Sequence, residues 1–441
     1  MTGGEPSGAC HNAGMAIAEP IGAAALHEAY RARTPRSAAL FERATDVLPG
    51  GSTRTTVYAP PYPPYLASGS GIHVRDVDGN DYRDFLGNYT SLILGHANPA
   101  VVAAVEAQVQ RGSAFGAPSE KEIELAEELV RRIDSVDRVR FTNSGTEATM
   151  FAIRVARAAT GRSLVGIFER AYHGTHDTVV AGTPGVPTAV GDLVVTLPWD
   201  DLEGVERALA GREADLAAIV VEPIQGAGGV RPASRELLAG LRSICDRTGA
   251  LLIFDEVISF RAAPGGAQSL VGVRPDLTTL GKIIGGGFPL AAFGGAAEIM
   301  DRFDARRSGA LTHGGTFNGN PVGAAAGLAT LAQLTPATYT ALAGRAGRLR
   351  DAVANGAAIR RVGVRVDTAA SLFQVRLGDH TAASAVETGT GAADLFVRLL
   401  LAGFYLAPRG MGAIATPATD ADVDELATAI VDAAAAIDAS A

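Results

Sequence analysis

Lys282 is one of only two lysines in the chain, against 36 arginines. It lies in an apolar, glycine-flanked segment, Leu280-Gly281-Lys282-Ile283-Ile284-Gly285, whereas Lys121 stands at an exposed helix start. Because arginine serves elsewhere as the general cation, the lysine at 282 indicates a need for a primary amine that can lose its proton. Apolar surroundings lower the pKa of a lysine and make it a usable nucleophile. We therefore expect Lys282 to form an imine with an aldehyde.

Two further polar stretches could hold such an aldehyde. The segment Thr142-Asn143-Ser144-Gly145-Thr146-Glu147 lies between an apolar run and an Ala-rich helix, where N–H groups and hydroxyls bind phosphate. The same residues also fit a helix-capping box. Asp255 ends the most apolar run and needs a cation, although a metal ligand or a helix cap would be an ordinary explanation; Glu222 is similar. Amine, phosphate cradle and acidic partner for a pyridinium nitrogen are together the requirements of pyridoxal phosphate.

The sequence does not support three other kinds of site: a nucleotide-binding P-loop, a nicotinamide-binding motif and a metal site. A nucleotide-binding P-loop needs a glycine five residues before Gly281 and Ser or Thr after the lysine, but the chain has Asp276 and Ile283 there. No strand is followed by the G-x-G-x-x-G of nicotinamide-binding folds. His173-x-x-His176-Asp177 has metal-ligand character without a third cluster at suitable spacing, so we expect no metal site.

A sheet must position these residues. Continuous apolar runs alternate with helical patterns, which predicts an α/β fold with a mostly parallel sheet and helices on both faces. Ligands bind outside the carboxyl ends of such strands. The polar clusters that directly follow the runs should therefore meet at one edge. The runs are 138–141, 163–168, 217–221 and 250–254, followed by the clusters 143–146, 172–174, 222–223 and 255–256.

The chain divides into four predicted parts. Residues 1–25 are a flexible tail, 26–97 an N-terminal segment of the small domain and substrate site, 98–332 the large domain, and 333–441 the C-terminal small domain. Finer expectations are a helix over 26–47, a hairpin turning at 78–80, strands at 372–377 and 404–407, and one apolar helix face formed by Ile123, Ala126, Val130 and Ile133.

Composition excludes several classes. The 441 residues carry a formal net charge of −9, which gives no reason to expect nucleic acid or an anionic membrane as partner. Cys10 and Cys245 cannot form a disulfide framework and indicate a reducing compartment. We expect neither a signal peptide nor a membrane span, and a cytoplasmic protein.

From about residue 40 onward, the chain resembles the class III, ω-type aminotransferases among the fold-type-I pyridoxal-phosphate enzymes. It is most similar to the branch of glutamate-1-semialdehyde 2,1-aminomutase and the β-amino-acid (β-phenylalanine) aminotransferases. The matching stretches are 143–148, 172–174, 221–223, 254–257, 276–287 and 315–321.

The resemblance implies a role for each motif residue. Lys282 forms the Schiff base with pyridoxal 5'-phosphate and then shuttles the proton, and Asp255 keeps the ring nitrogen protonated. Glu222 orients the assembly. The remaining cofactor contacts are Ser144, Gly145 and Thr146 at the phosphate, Tyr172 and Val257 on the two ring faces, and Thr316 reaching the phosphate from the neighbouring subunit of a homodimer.

The resemblance leaves the second half of the reaction open. Arg54 and Arg409 match the carboxylate-binding arginines of the β-amino-acid enzymes, and Tyr89 could line the substrate pocket. The segment from Tyr172 to Trp199 is shorter than the mobile lid of the aminomutases. The sequence therefore favours an aminotransferase moving an amino group from a carboxylate-bearing amine to a 2-oxo acid through pyridoxamine phosphate. The aminomutase is the alternative; a racemase or epimerase ranks third, and a non-enzymatic sensor is disfavoured.

Overall fold

The computed structural model describes residues 21–378 and 390–440. Its helices carry Ser, Thr, Asp or Asn caps at several N-termini, as the sequence pattern favours. Numbered along the chain, the helices are α1 Ala23–Arg33, α2 Pro35–Thr45, α3 Gly87–Thr90, α4 Pro99–Val109, α5 Glu120–Arg132, α6 Gly145–Thr160, α7 Thr188–Gly191, α8 Leu202–Leu209, α9 Arg235–Thr248, α10 Gln268–Val271, α11 Ala297–Met300, α12 Pro321–Leu331, α13 Pro336–Arg360, α14 Thr390–Leu401 and α15 Asp420–Asp438. None of these helices of the described chain is both long and apolar enough to cross a bilayer.

The strands form four sheets, of which one has seven strands. They are β1 Leu66–Ser70, β2 His73–Asp76, β3 Asp81–Asp84, β4 Arg138–Thr142, β5 Leu164–Phe168, β6 Val194–Leu197, β7 Leu216–Val221, β8 Ile224–Gln225, β9 Arg231–Pro232, β10 Leu251–Asp255, β11 Leu277–Leu280, β12 Ala291–Gly295, β13 Val364–Ala369, β14 Leu372–Leu377, β15 Phe404–Tyr405 and β16 Met411–Ala413.

The seven-stranded sheet is the core of one compact unit, residues 99–340. Its strand order is β4-β12-β11-β10-β7-β5-β6, and only β12 runs antiparallel to its neighbours. The central strands β7 and β11 are buried at every residue, as expected for a sheet covered on both faces. One apolar cluster packs β5, β7 and β10 against α8 and α9, and a second packs α6 against the opposite face. The predicted α/β class and covered parallel sheet are confirmed.

The other compact unit combines residues 21–98 with the described residues from 341 onward. It holds a four-stranded sheet, β1-β2-β3-β15, and a three-stranded sheet, β13-β14-β16. The hairpin predicted to turn at 78–80 is present as the antiparallel pair of β2 and β3. The first twenty residues of the predicted tail lie outside the described residues, while α1 begins at Ala23.

One predicted helix, over 26–47, is wrong in its continuity. The structure has two helices, α1 and α2, separated at Thr34. Pro35 is the cause, because its ring disfavours helical geometry at the preceding residue and it offers no N–H to continue the ladder. The Thr34 hydroxyl instead donates to the Tyr30 carbonyl oxygen at 2.7 Å.

Candidate active site

A cavity of about 260 Å3 lies at the carboxyl edge of the seven-stranded sheet. Loops that follow five strands, β4, β5, β7, β10 and β11, supply most of its wall, and the sequence pattern predicted the first four of these. The structure thereby brings together eight of the predicted site residues. The lining consists of Asn143, Ser144, Gly145, Thr146, Tyr172, His173, Gly174, Glu222, Asp255, Val257, Ile258, Lys282, Phe288, Pro289 and Leu290.

Lys282 enters this cavity two residues after β11 ends. Its backbone is in the left-handed region, with φ of 50°, a conformation that non-glycine residues adopt rarely and that concentrates at functional sites. Burial lowers the pKa of its amine, and the negative charges of Asp255 and Glu222 oppose that shift. Among the described residues the Lys282 amine makes no hydrogen bond and no ion pair, so it is available as a nucleophile.

Asp255, the last residue of β10, is 3% exposed. Its Oδ2 accepts from Nδ1 of His173 at 2.7 Å. Its Oδ1 accepts from the Thr279 hydroxyl at 3.0 Å and from the Val257 N–H at 3.1 Å. Three donors on one carboxylate fix its orientation.

Glu222 forms a second buried carboxylate directly after β7. Its Oε2 accepts from the Tyr172 N–H and its Oε1 from the Gly226 N–H, both at 3.1 Å. Burial raises the pKa of Glu222 to about 7; His173 and the two N–H donors lower it, and Asp255 raises it further. Burial also opposes the charged form of His173, but its hydrogen bond to Asp255 and the negative charges of Asp255 and Glu222 raise the His173 pKa overall.

Helix α6 begins at the cavity with a complete capping box. The Ser144 hydroxyl accepts from the Glu147 N–H at 3.2 Å, and Oε2 of Glu147 accepts from the Ser144 N–H at 3.2 Å. The capping alternative weighed from the sequence is therefore present. The cap leaves the N–H groups of Gly145 and Thr146 without a partner in the described part of the chain, so the two can still bind an anion.

Gly174 allows the loop after β5 to approach this helix start. Its φ is +96°, and a Cβ on it would lie 2.4 Å from the Thr146 Oγ1. The Thr146 hydroxyl oxygen accepts from the Thr175 N–H at 3.3 Å, which holds the two segments together. No residue larger than glycine fits there without displacing Thr146.

Sequence reasoning missed the residues that support the first contacts. His173 was placed in the polar cluster 172–174, but the only role considered for it was metal ligand. Thr279, inside β11, lies in the matching stretch 276–287 and was given no role. Glu256 was quoted only as a neighbour of Asp255; it is fully buried and accepts from the N–H groups of Ala267 and Gln268 at 2.6 and 2.9 Å, which anchors the following loop.

Thr316 is exposed and does not line the cavity. Its segment is held by Asn318, which bonds to Asn143 at 2.8 Å and to Nε2 of His313 at 3.3 Å. Phe317, next to Thr316, is 59% exposed.

The three predicted substrate residues lie together in the other unit. The Arg54 guanidinium carbon is 5.8 Å from the centroid of the Tyr89 ring, and Arg54 donates to Oδ1 of Asn88 at 2.9 Å. Burial raises the pKa of Tyr89, while its hydrogen bond to Thr56 and the charges of Arg54 and Arg409 oppose that rise. Asn88, Tyr89 and Thr90 all have positive φ, a run of strained backbone typical of functional positions.

Comparison with known proteins agrees with this arrangement. The family model of the class-III aminotransferases matches residues 57–356. The chain is 41% identical over 428 residues to a glutamate-1-semialdehyde 2,1-aminomutase of Nitratidesulfovibrio vulgaris (strain DSM 19637 / Miyazaki F), covering 92% of this chain and 99% of that protein.

Two solved structures are similar over nearly the whole chain. An omega-transaminase from Sphaerobacter thermophilus has a TM-score of 0.87 at 42% identity and covers 92% of this chain and 97% of its own. A β-phenylalanine aminotransferase from Variovorax paradoxus has a TM-score of 0.86 at 35% identity, over 95% and 96% of the two chains. The chain therefore belongs to the class-III aminotransferases, with the fold of the fold-type-I transferases and pyridoxal 5'-phosphate as cofactor.

Proposed function

We propose that the chain moves an amino group on small carboxylate-bearing molecules, with Lys282 as the residue that binds the cofactor's aldehyde. The observation that carries the proposal is the Lys282 amine, which shares a cavity with Asp255 and Glu222 yet bonds to neither. Burial lowers its pKa, which favours the neutral amine that condensation with an aldehyde requires.

The cavity wall fits the two ends of the cofactor. The free N–H groups of Gly145 and Thr146, at the positive end of the α6 dipole, suit the phosphate. Asp255, held in place by three donors, suits a protonated ring nitrogen. These features support the proposed contacts, with the Ser144 hydroxyl keeping its own O–H free to donate beside the capping bond.

Val257 forms part of the cavity wall between the residues proposed to bind the two ends of the cofactor. A Cβ placed on Gly145 would lie 3.1 Å from Val257, and one on Gly281 would lie 3.2 Å from it. The valine thus packs tightly against glycines on both sides, which leaves one of its faces as cavity wall. Tyr172 is 49% exposed at the rim, and we propose that it covers the opposite face of the ring.

When bound, the cofactor supplies an aldehyde that condenses with amines and a ring that accepts the electron pair of a broken C–H bond. The chain's own part is to hold and move protons. Lys282 would take the proton of the substrate carbon at Nζ and hold it for return. Glu222 orients the Tyr172 main chain through its N–H and would add negative charge to the cavity.

Arg54 and Arg409 are proposed to bind the substrate carboxylate. A guanidinium offers paired donors in a planar fork that match two carboxylate oxygens. The charges of both arginines act on Tyr89, so the three residues form one cationic, partly aromatic patch within their unit. Such a patch favours substrates with a carboxylate close to an apolar group.

We also propose a homodimer in which Thr316 reaches the partner's phosphate. Support comes from the apolar helix face predicted from the sequence, because only part of that face is buried in the structure. Ile133 is fully buried, whereas Ile123 is 55% exposed and lines a groove of about 730 Å3 with Gly314 and Gly315. A groove of this size beside the Thr316 segment, lined by both apolar and charged residues, fits a second copy. Sedimentation of wild type and Ile123→Asp tests this: a monomeric wild type would refute it.

The sequence motifs favoured a β-amino-acid aminotransferase for the second half of the reaction. The relative that is 41% identical is a glutamate-1-semialdehyde 2,1-aminomutase, which supports the aminomutase better. We therefore place the 2,1-aminomutase first: the amino group leaves one carbon of the substrate and returns to its neighbour, so no acceptor is needed. The β-amino-acid aminotransferase stays the second candidate, favoured by the Arg54 and Arg409 patch and by a β-phenylalanine aminotransferase among the structural neighbours.

The deciding experiment compares two incubations of the protein loaded with pyridoxal phosphate. The first contains glutamate-1-semialdehyde alone, and the second contains a panel of α- and β-amino acids with 2-oxoglutarate or pyruvate. Isomerisation without acceptor is expected for the aminomutase. Turnover only in the second incubation would establish the aminotransferase, and no turnover in either would refute both.

A further inference from the structure

A buried imidazole stands behind the predicted ring-nitrogen partner. His173 is 3% exposed, and its Nδ1 is 2.7 Å from Oδ2 of Asp255. Because the other oxygen of the Asp255 carboxylate already accepts from two donors, we assign the proton of this bond to Nδ1 of His173, which donates. A bond from an imidazole N–H to a carboxylate is stronger than one between neutral groups.

The main chain on both sides of His173 is fixed. The Thr149 hydroxyl, on helix α6, donates to the His173 carbonyl oxygen at 2.6 Å. The preceding N–H, of Tyr172, donates to Glu222 at 3.1 Å. The following Gly174 packs against Thr146. His173 thus has little freedom to point elsewhere.

The second ring nitrogen of His173, Nε2, makes no hydrogen bond that would explain the burial of this side chain among the described residues. Nε2 of His173 is buried and has no hydrogen-bond partner among the residues that the structure describes. Leaving a buried polar atom unpaired is costly, and few such atoms persist without a reason. The bond to Asp255 is therefore the one side-chain contact that justifies an imidazole at this position.

The charges around His173 come from several elements. Negative charge on Asp255 from β10 and on Glu222 from the end of β7 favours its protonated form. The basic neighbours are Lys282, which interacts with the same two carboxylates, and His176, whose pKa burial lowers to about 4 with help from His173 and Arg157. At neutral pH, His176 is thus neutral.

We infer that His173 is a positioning residue that holds the Asp255 carboxylate in one orientation in the cavity wall. This inference rests on the proposed function, because it assumes that Asp255 faces the cofactor. Without the His173 donor, Oδ2 loses its bond while Oδ1 keeps Thr279 and Val257. The carboxylate can then rotate, and the cofactor is held less tightly.

The test compares His173→Phe, which removes the donor, with His173→Asn, whose side-chain N–H can replace it. The matched controls are His176→Phe and His176→Asn, because His176 is a second, partly buried imidazole three residues away that does not touch Asp255. The readouts are the dissociation rate of pyridoxal phosphate from the holoenzyme and the pH titration of its absorbance. Nitrogen NMR of the cofactor-free wild type reports the His173 tautomer.

In His173→Phe the cofactor should dissociate roughly tenfold faster or more, the effect of losing one hydrogen bond to a charged group. Its absorbance titration should shift, His173→Asn should recover most of both effects, and the His176 variants should match wild type. NMR should show the proton on Nδ1.

Distinct outcomes overturn the two proposals. A wild type that binds no pyridoxal phosphate would refute the proposed function. A wild type that binds it normally, with His173→Phe and His173→Asn indistinguishable from it, would refute only the role of His173. Should His173→Phe not fold, a wild-type imidazole carrying its proton on Nε2 alone would refute that role directly.

Discussion

Gly327, in helix α12, is predicted to control how closely that helix approaches the lysine-bearing segment. A Cβ on Gly327 would lie 2.0 Å from the carbonyl oxygen of Ile284, two residues after Lys282. Ordinary contact begins near 3.4 Å. Gly327→Ala must therefore push α12 and the Lys282 segment apart by roughly 1.4 Å, which is a large shift in a packed interior.

The expected cost follows from two opposing effects. Replacing glycine by alanine inside a helix stabilises the helix by about 1 kcal/mol, since alanine loses less backbone freedom on folding. Overpacking of this kind costs about 1–3 kcal/mol, and the contact here is with a backbone atom that cannot rotate away. The overpacking cost should lie at the upper end of its range and exceed the gain in helix stability. Gly327→Ala should therefore lower the free energy of unfolding by about 1–2 kcal/mol.

The control is Gly344→Ala in helix α13, where a Cβ would meet nothing within 4 Å. This variant should raise the free energy of unfolding by about 0.4–1 kcal/mol. Both variants are measured by urea denaturation of the cofactor-free protein and by retention of pyridoxal phosphate on dialysis. Gly327→Ala should also retain the cofactor less well. If Gly327→Ala stabilised the protein as much as Gly344→Ala and kept its cofactor, the close approach of α12 would be refuted.

Three other substitutions test separate parts of the site. The folded-state pKa of Glu222 is about 7, against an ordinary 4.5, so the free energy of unfolding should fall as pH rises between these two values. In denaturant titrations, Glu222→Gln should make this fall smaller. A pH profile identical to that of the wild type would contradict the prediction. Arg54→Ala and Arg409→Ala should raise KM for carboxylated amines about tenfold or more and leave decarboxylated amines unaffected; equal losses on both would remove the carboxylate role. Gly174→Ala should weaken phosphate-dependent cofactor binding through displacement of Thr146, and unchanged affinity for pyridoxal phosphate would refute the tight fit.

The features that the sequence predicted best are those with a strong local pattern. The apolar run before Asp255 has a single sensible structure, a buried parallel strand, and the polar residue that ends it must lie at the sheet edge. The rarity of lysine made Lys282 stand out for a chemical reason that needs no structure. Both predictions depend on residues adjacent in the chain.

The features that the sequence could not predict depend on contacts between distant segments. Asp255 and His173 are 82 positions apart, and Thr279 pairs with Asp255 only because β10 and β11 are neighbours in register. The free N–H groups of Gly145 and Thr146 emerge only once the capping box has used the others. The break at Pro35 was missed because the apolar pattern on both sides continues.

The central claim is that Lys282 binds the cofactor, and the chain offers a direct test because it contains only one other lysine. Protein loaded with pyridoxal phosphate is reduced with borohydride, digested and examined by mass spectrometry. The account predicts that the cofactor is fixed on Lys282, that Lys121 stays unmodified, and that Lys282→Arg abolishes the label while Lys121→Arg does not. A label on Lys121, or none on either lysine, would contradict it.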